Sequence, residues 1–147
     1  MAELPQGIYE LYYADSRIQA PLGLDTVDGQ PPQVVQLPAG TPAPRWTVTK
    51  VADNTFTFSI GGAFVAPSGI WVEPSSEAYG WKVNKVYTVP SPGGESSYAV
   101  WLPDMSRGWN YLVLGGRRNV IPRQANGELL IWLYPGAAYP WWFKRVA

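Results

Sequence analysis

The stretch "NTFTFSIGGAFVAPSGIWVEPSSEAYGWKV" occupies residues 54–83, and its pattern decides the fold. Phe56, Phe58 and Ile60 alternate with Thr55, Thr57 and Ser59, the period-two signature of a half-buried strand. Gly61-Gly62 reads as a turn. Two weaker strands follow, "AFVAP" and "IWVEP", and "GWKVNKVY" then aligns Trp81, Val83 and Lys85 on one face. An opener with an aromatic residue, two weaker strands and a tryptophan-led strand make a unit of four.

The same unit recurs on both sides. Upstream, "GIYELYYA" places Tyr9, Leu11 and Tyr13 on one face and Ile8, Glu10 and Tyr12 on the other. "LGLDTV" and "VVQLP" follow, and "PRWTV" supplies the tryptophan strand, with Trp46, Val48 and Lys50 on one face. Downstream, "SSYAVWLP" opens, "WNYLVL" and "ELLIWL" follow, and "YPWWFKRV" closes. The expectation is an all-β chain, a β-trefoil of twelve strands in three four-strand repeats. A six-strand barrel would be capped by three hairpins, which leaves no long open edge. One domain spans 1–147, with repeats at roughly 7–52, 53–87 and 96–147. Tyr9, Phe56 and Tyr98 are expected in one barrel layer, and Trp46, Trp81 and Trp142 in the next. By the parallel with "PRWTV", Trp142 faces inward; Phe143 competes through the register that buries Trp141 instead.

Composition agrees. The 147 residues include 15 glycines and 15 prolines among eight tryptophans, nine tyrosines and four phenylalanines. Turn punctuation with many aromatic and β-branched residues favours strands, and no helical period is convincing. Eleven basic and eleven acidic residues balance to a formal charge of zero, so the basic field that nucleic acid requires is missing. No apolar run approaches the ~20 residues of a membrane helix. An early acid and no apolar h-region at the N-terminus speak against a secretory signal, so a cytoplasmic protein is expected.

The chain has no cysteine and no histidine. Disulfides and thiolate chemistry are therefore excluded, and the commonest general base and metal ligand are absent. The carboxylate pairs Asp25/Asp28 and Glu73/Glu77 lie in turn-like sequence rather than a cleft suited to glycoside hydrolysis. Serines lack a histidine to activate them. Gly115-Gly116 before Arg117-Arg118 has no helix to make it a phosphate cradle. We expect no enzyme, no metal and no cofactor.

Five tryptophans exceed the three assigned to the barrel: Trp71, Trp101, Trp109, Trp132 and Trp141. Exposed rings stack on sugars, so a lectin-like module is the alternative, although the Gln-x-Trp motif of ricin-type repeats is missing. Core beneath the hairpins is the other reading of these rings. The loops are proline-framed: "ADSRIQAP" (14–21), "VDGQPPQ" (27–33) and "PAGTPAP" (38–44). Preorganised loops lose little entropy when a partner grips them.

The opener "GIYEL", the run "DNTFTFSIGGAFVAPSGIWVEPSSEAYGWKV", the later "SSYAVWLP" and the closing strand together resemble the fungal β-trefoil protease inhibitors, the mycospins and mycocypins. The order and the short second repeat are more similar to the mycospins. The resemblance implies a monomeric, cytoplasmic, defensive inhibitor from a mushroom, whose partner is an exogenous digestive protease, serine rather than cysteine. It also implies a reactive loop between the second and third strands. The matching residues here are Asp28, Gly29, Gln30 and Pro31, with Gln30 where trypsin inhibitors carry a cation. Gln30 cannot pair with the acid of a trypsin pocket. The best basic substitute is Arg17, with Ser16 and Ile18 beside it; Arg17 reads equally as a surface residue paired with Asp15. Arg107 and Arg123 are further basic candidates. In mycocypins two loops, matching 16–21 and 40–44 here, wedge into papain-like clefts. The legumain-binding loop of some relatives corresponds to Gly61-Gly62 and lacks the asparagine.

Overall fold

The computed structural model describes residues 4–13, 20–25, 32–37, 40–69, 71–86, 97–112, 129–135 and 140–147, with 13, 25, 111–112 and 129–135 described by backbone alone. Twelve strands occur among them. In chain order they are β1 (Gly7–Tyr13), β2 (Leu22–Asp25), β3 (Gln33–Gln36), β4 (Trp46–Ala52), β5 (Thr55–Ile60) and β6 (Ala63–Ser68). β7 (Trp71–Ser75), β8 (Trp81–Lys85), β9 (Ser97–Trp101), β10 (Arg107–Leu112), β11 (Leu129–Pro135) and β12 (Trp141–Arg145) follow.

Six strands close on themselves. β1 pairs with β4, β4 with β5, β5 with β8, β8 with β9, β9 with β12 and β12 with β1, all antiparallel. This ring has no free edge. The remaining strands form antiparallel pairs, β2–β3, β6–β7 and β10–β11, and β11 also pairs with β3 and β7. The architecture is all-β and β-trefoil-like.

Alternation along the barrel strands explains the ring. Tyr9 and Leu11, Trp46 and Val48, Phe56 and Phe58, Trp81 and Val83, Tyr98 and Val100, and Trp141 and Phe143 are all buried. Each aromatic opener lies directly opposite a tryptophan: Tyr9 faces Trp46, Phe56 faces Trp81 and Tyr98 faces Trp141. Burying one such ring contributes about 2–3 kcal/mol.

The closing strand takes the register with Trp141 inward, not Trp142. Trp141 and Phe143 are core residues, while Trp142 is half-buried on the outer face. Residues two apart share a face of a strand. Trp142 would carry Lys144 into the barrel, whereas Trp141 carries Phe143. An unpaired ammonium in that core costs far more than any difference between two indoles.

Turn chemistry suits the tight connections. Gly61 and Gly62 both have positive φ, 59° and 84°, between the paired residues Ile60 and Ala63. Two consecutive positive φ values are what a two-residue hairpin with right-handed strand twist requires. These glycines form a turn and no cradle.

Candidate functional site

The three barrel tryptophans do more than fill space. Trp46 Nε1 donates to the carbonyl of Leu22 in β2 at 3.1 Å, Trp81 Nε1 to Val65 in β6 at 3.0 Å, and Trp141 Nε1 to Trp109 in β10 at 3.3 Å. Each indole thus ties one strand pair outside the ring to the barrel by a buried hydrogen bond. Such a bond matters because a buried N–H without an acceptor costs about 1–3 kcal/mol.

The β2–β3 hairpin is the base of the loops singled out in the sequence. At one end of β2, Pro21 bridges Tyr12, and its carbonyl accepts the Leu37 amide at 2.8 Å. Gly23 allows the following segment to lie close: a Cβ there would sit 2.7 Å from Leu37 Cδ1 and 2.9 Å from Pro44 Cγ. The roots of segments 14–19 and 38–44 therefore meet at this end, where Gly40 and Pro42 are exposed. At the other end, Asp25 pairs with Gln33 and closes the root of segment 26–31. Gln33 Nε2 donates to Glu73 Oε2 at 3.4 Å, which links this end to β7. Four residues of strand separate the two ends by about 10 Å.

Ser16, Arg17 and Ile18, and Asp28, Gly29, Gln30 and Pro31, all lie outside the described residues, as does Arg123. The structure describes their anchors and not their side chains. Arg107 is described, and it is tethered: Nη1 donates to the Gly69 carbonyl at 3.3 Å. Asp25 and Glu73 sit in strands, and Asp28, Gly115-Gly116 and Arg117-Arg118 lie outside the described residues. Among the described residues no group of three acids could hold a metal ion, and no helix is long and apolar enough to cross a membrane.

Two of the five surplus tryptophans are architecture. Trp109 and Trp141 are completely covered. Trp109 projects from β10 into the middle of the aromatic core, with ring centroids 6.3 Å from Trp46, 5.4 Å from Phe58 and 5.4 Å from Trp81. Trp142 packs on Tyr12 at 5.0 Å, and Lys144 Nζ stands 5.9 Å from its centroid. Trp71 and Trp101 are half-buried, and the Trp132 side chain is outside the description. A sugar-stacking platform needs an uncovered indole face, which Trp109 and Trp141 do not offer.

One feature of the surface escaped sequence reasoning. The connection from β9 to β10 is a closed turn. Met105 N donates to the Leu102 carbonyl at 2.9 Å, and Leu102 N donates to Arg107 O at 2.9 Å. Asp104 Oδ1 accepts from Ser106 N at 2.9 Å and from Ser106 Oγ at 2.6 Å. These two donors hold the Asp104 carboxyl below its ordinary pKa, with Ser106 Oγ the larger cause. The spacing Asp-x-Ser after a proline was the available signal.

No family model and no curated protein matches the chain. Among solved structures, a proteinase inhibitor from Coprinopsis cinerea is similar: 18% identity, 98% of this chain and 100% of that chain covered, TM-score 0.63. At that identity the likeness is one of fold, and it extends over nearly the whole molecule: the chain has the β-trefoil-like fold of that proteinase inhibitor, the fold implied by its resemblance to the mycospins.

Proposed function

We propose that the chain is a protease inhibitor that acts by inserting a surface loop into the active-site cleft of its target. It performs no catalysis of its own. Serine proteases are the first target class and cysteine proteases the second. The observation that carries this reading is the β2–β3 hairpin, whose strand β2 is tied to the barrel by Trp46 and whose outer end closes segment 26–31 between Asp25 and Gln33. Pairing of Asp25 with Gln33 holds the two ends of the loop together, which lowers the entropy that docking costs. The likeness to a proteinase inhibitor over 98% of the chain supports the same reading.

The scaffold is read as one domain of three repeats, 7–52, 53–87 and 96–147, each contributing two barrel strands and one hairpin. It acts as a monomer in the cytoplasm of a fungal cell and meets its partner, a digestive protease, only when the tissue is eaten. The loop between β2 and β3, with Asp28, Gly29, Gln30 and Pro31, is the first candidate for the cleft of a serine protease. Segments 16–21 and 40–44 are the candidates for a two-loop wedge into a papain-like cleft. Arg17 is the basic candidate for a trypsin pocket.

A panel of trypsin, chymotrypsin, subtilisin, papain and legumain, with the chain at micromolar concentration, tests the reading. Inhibition of at least one serine protease is expected, and inhibition of none of the five overturns the proposal. If trypsin is inhibited, Arg17→Glu raises Ki at least tenfold by placing like charge against the acidic pocket; an unchanged Ki moves the specificity residue elsewhere.

A further inference from the structure

The β9–β10 turn carries an anomaly. Met105 adopts φ 62°, in the left-handed region. The other described residues with positive φ are Asn54 and the glycines 40, 61, 62 and 69, the residue types that reach this region at least cost. A methionine there is disfavoured by its own backbone. It is also 45% exposed, and only Val51 joins it as an exposed large hydrophobic residue among those described. The turn connecting β5 to β6 is built on Gly61-Gly62 and presents nothing. The β9–β10 turn instead holds an apolar side chain outward in an unfavoured conformation.

The conformation is well enforced. The Met105 amide is held by Leu102 O, and Asp104 and Ser106 brace the two sides. Leu102 and Trp109, buried at 7% and 0% exposure, root the turn in the core at both ends. Arg107 is fixed sideways on Gly69 O and leaves the tip to Met105. A rigid turn with one flexible, polarisable apolar group at its tip has the form of an interface anchor seated in a partner's pocket. Strain retained at an exposed position, where no packing is gained, points to a function for the side chain.

We propose that Met105 is a second docking head, separate from segments 14–19 and 26–31, that fills the primary specificity pocket of a serine protease selective for large apolar side chains. The proposal rests on the inhibitor reading above and adds the target's pocket chemistry. The turn plugs the pocket instead of mimicking substrate. Its backbone is closed, and the Met105 N–H is already spent on Leu102, so it cannot add a strand to the cleft. The peptide bonds beside Met105 are therefore held away from the nucleophile and survive prolonged contact.

The test uses Met105→Gly, Met105→Asn and Met105→Phe in the full chain, against chymotrypsin, subtilisin and trypsin. Glycine and asparagine suit the left-handed backbone, so both variants are expected to melt at or above the parent temperature. Their Ki for chymotrypsin or subtilisin is expected to rise tenfold or more, with phenylalanine restoring chymotrypsin inhibition and Ki for trypsin changing less than about twofold. Mass spectrometry after overnight incubation is expected to find residues 103–107 uncut. Unchanged Ki for chymotrypsin and subtilisin in both small variants overturns the proposal. So does a parent chain that inhibits trypsin or papain but neither apolar-pocket enzyme, an outcome that leaves the inhibitor reading intact. Loss of inhibition against every protease together with a lowered melting temperature also overturns it, because it assigns Met105 a purely structural role. Inhibition of no protease at all removes both readings.

Discussion

The indole of Trp141 donates its Nε1 proton to the backbone carbonyl of Trp109, 3.3 Å away across 32 residues of chain. The bond joins the last strand of the barrel to β10, and Trp46 with Leu22 and Trp81 with Val65 repeat it. A barrel side chain thereby positions the backbone that carries the loops.

Replacing Trp141 tests this link directly. Trp141→Phe deletes the donor and leaves a void beside Trp109, for a loss of about 2–3 kcal/mol. Trp142→Phe, at the half-buried outer position, costs less than about 1 kcal/mol. Urea denaturation of the two variants measures the difference. A loss at Trp142 as large as that at Trp141 would contradict the assignment of Trp141 alone to the barrel.

Gly23 is held to its size by its neighbours. A Cβ placed there meets Leu37 and Pro44 at 2.7 and 2.9 Å. The leucine tip can move, but the proline ring has less freedom. Gly23→Ala is expected to cost about 1–2 kcal/mol and to push segment 37–44 off the hairpin. Hydrogen exchange of the Leu37 amide, which donates to Pro21 O, reports the displacement. Protection equal to the parent's would show that the segment does not rest on Gly23.

The outer face of β1 makes the fold sensitive to alkali. Burial, and then the hydrogen bond from the Tyr12 hydroxyl to Glu10 Oε1 at 2.7 Å, push the Tyr12 phenol up to about 12 from 10.0. Burial also raises Tyr9 and Tyr79. A raised phenol favours the folded state fully below pH 10.0, and that stability drains away as pH climbs toward about 12, because the unfolded chain ionises first. Tyr12→Phe should flatten the fall in stability between pH 10 and 12, read by denaturation at fixed pH values. A variant with the parent's slope would rule Tyr12 out as the cause.

Asp104 gives the opposite sign. Ser106 holds its carboxyl below the ordinary 3.8, so its contribution to the turn is present above that pH and is lost as pH falls through the lower folded value. Ser106→Ala removes the Oγ donor, the larger cause, and should return the Asp104 titration toward 3.8. Carboxyl-carbon chemical shifts followed with pH decide the point; a midpoint unmoved by Ser106→Ala contradicts it.

Much of the scaffold was legible along the chain because strand alternation is a local property. Phe56, Phe58 and Ile60 alternate with Thr and Ser in the sequence and are buried in the structure. The six strands of the closed barrel fall on runs of β-branched and aromatic residues that the sequence marks as strands. Even the misassigned tryptophan had a local signal. Trp46 and Trp81 are each followed two residues later by valine, and Trp141 by Phe143, whereas Trp142 is followed by Lys144. A Trp-x-apolar spacing, and not a lone tryptophan after proline, marks the inward register.

The candidate site was less legible. Proline framing and the resemblance pointed to several loops, but nothing in the spacing of "LGLD" says that segments 14–19 and 26–31 are rooted at opposite ends of one four-residue strand. That separation follows from the pairing of β2 with β3 and from Leu37 folding back on Pro21. Met105 was invisible for a different reason. Methionine has no turn propensity, and its left-handed φ comes from hydrogen bonds made by its neighbours.

By itself the sequence determined the all-β class and the absence of thiol and imidazole chemistry. These depend on residue type and on a period of two, which one chain carries without knowing its partners. The tertiary structure alone decided which carbonyl each indole grips and which side chain the β9–β10 turn holds out to solvent. Those outcomes depend on contacts between residues as far apart as Tyr9 and Phe143, whose rings meet at 5.7 Å only once the barrel has closed.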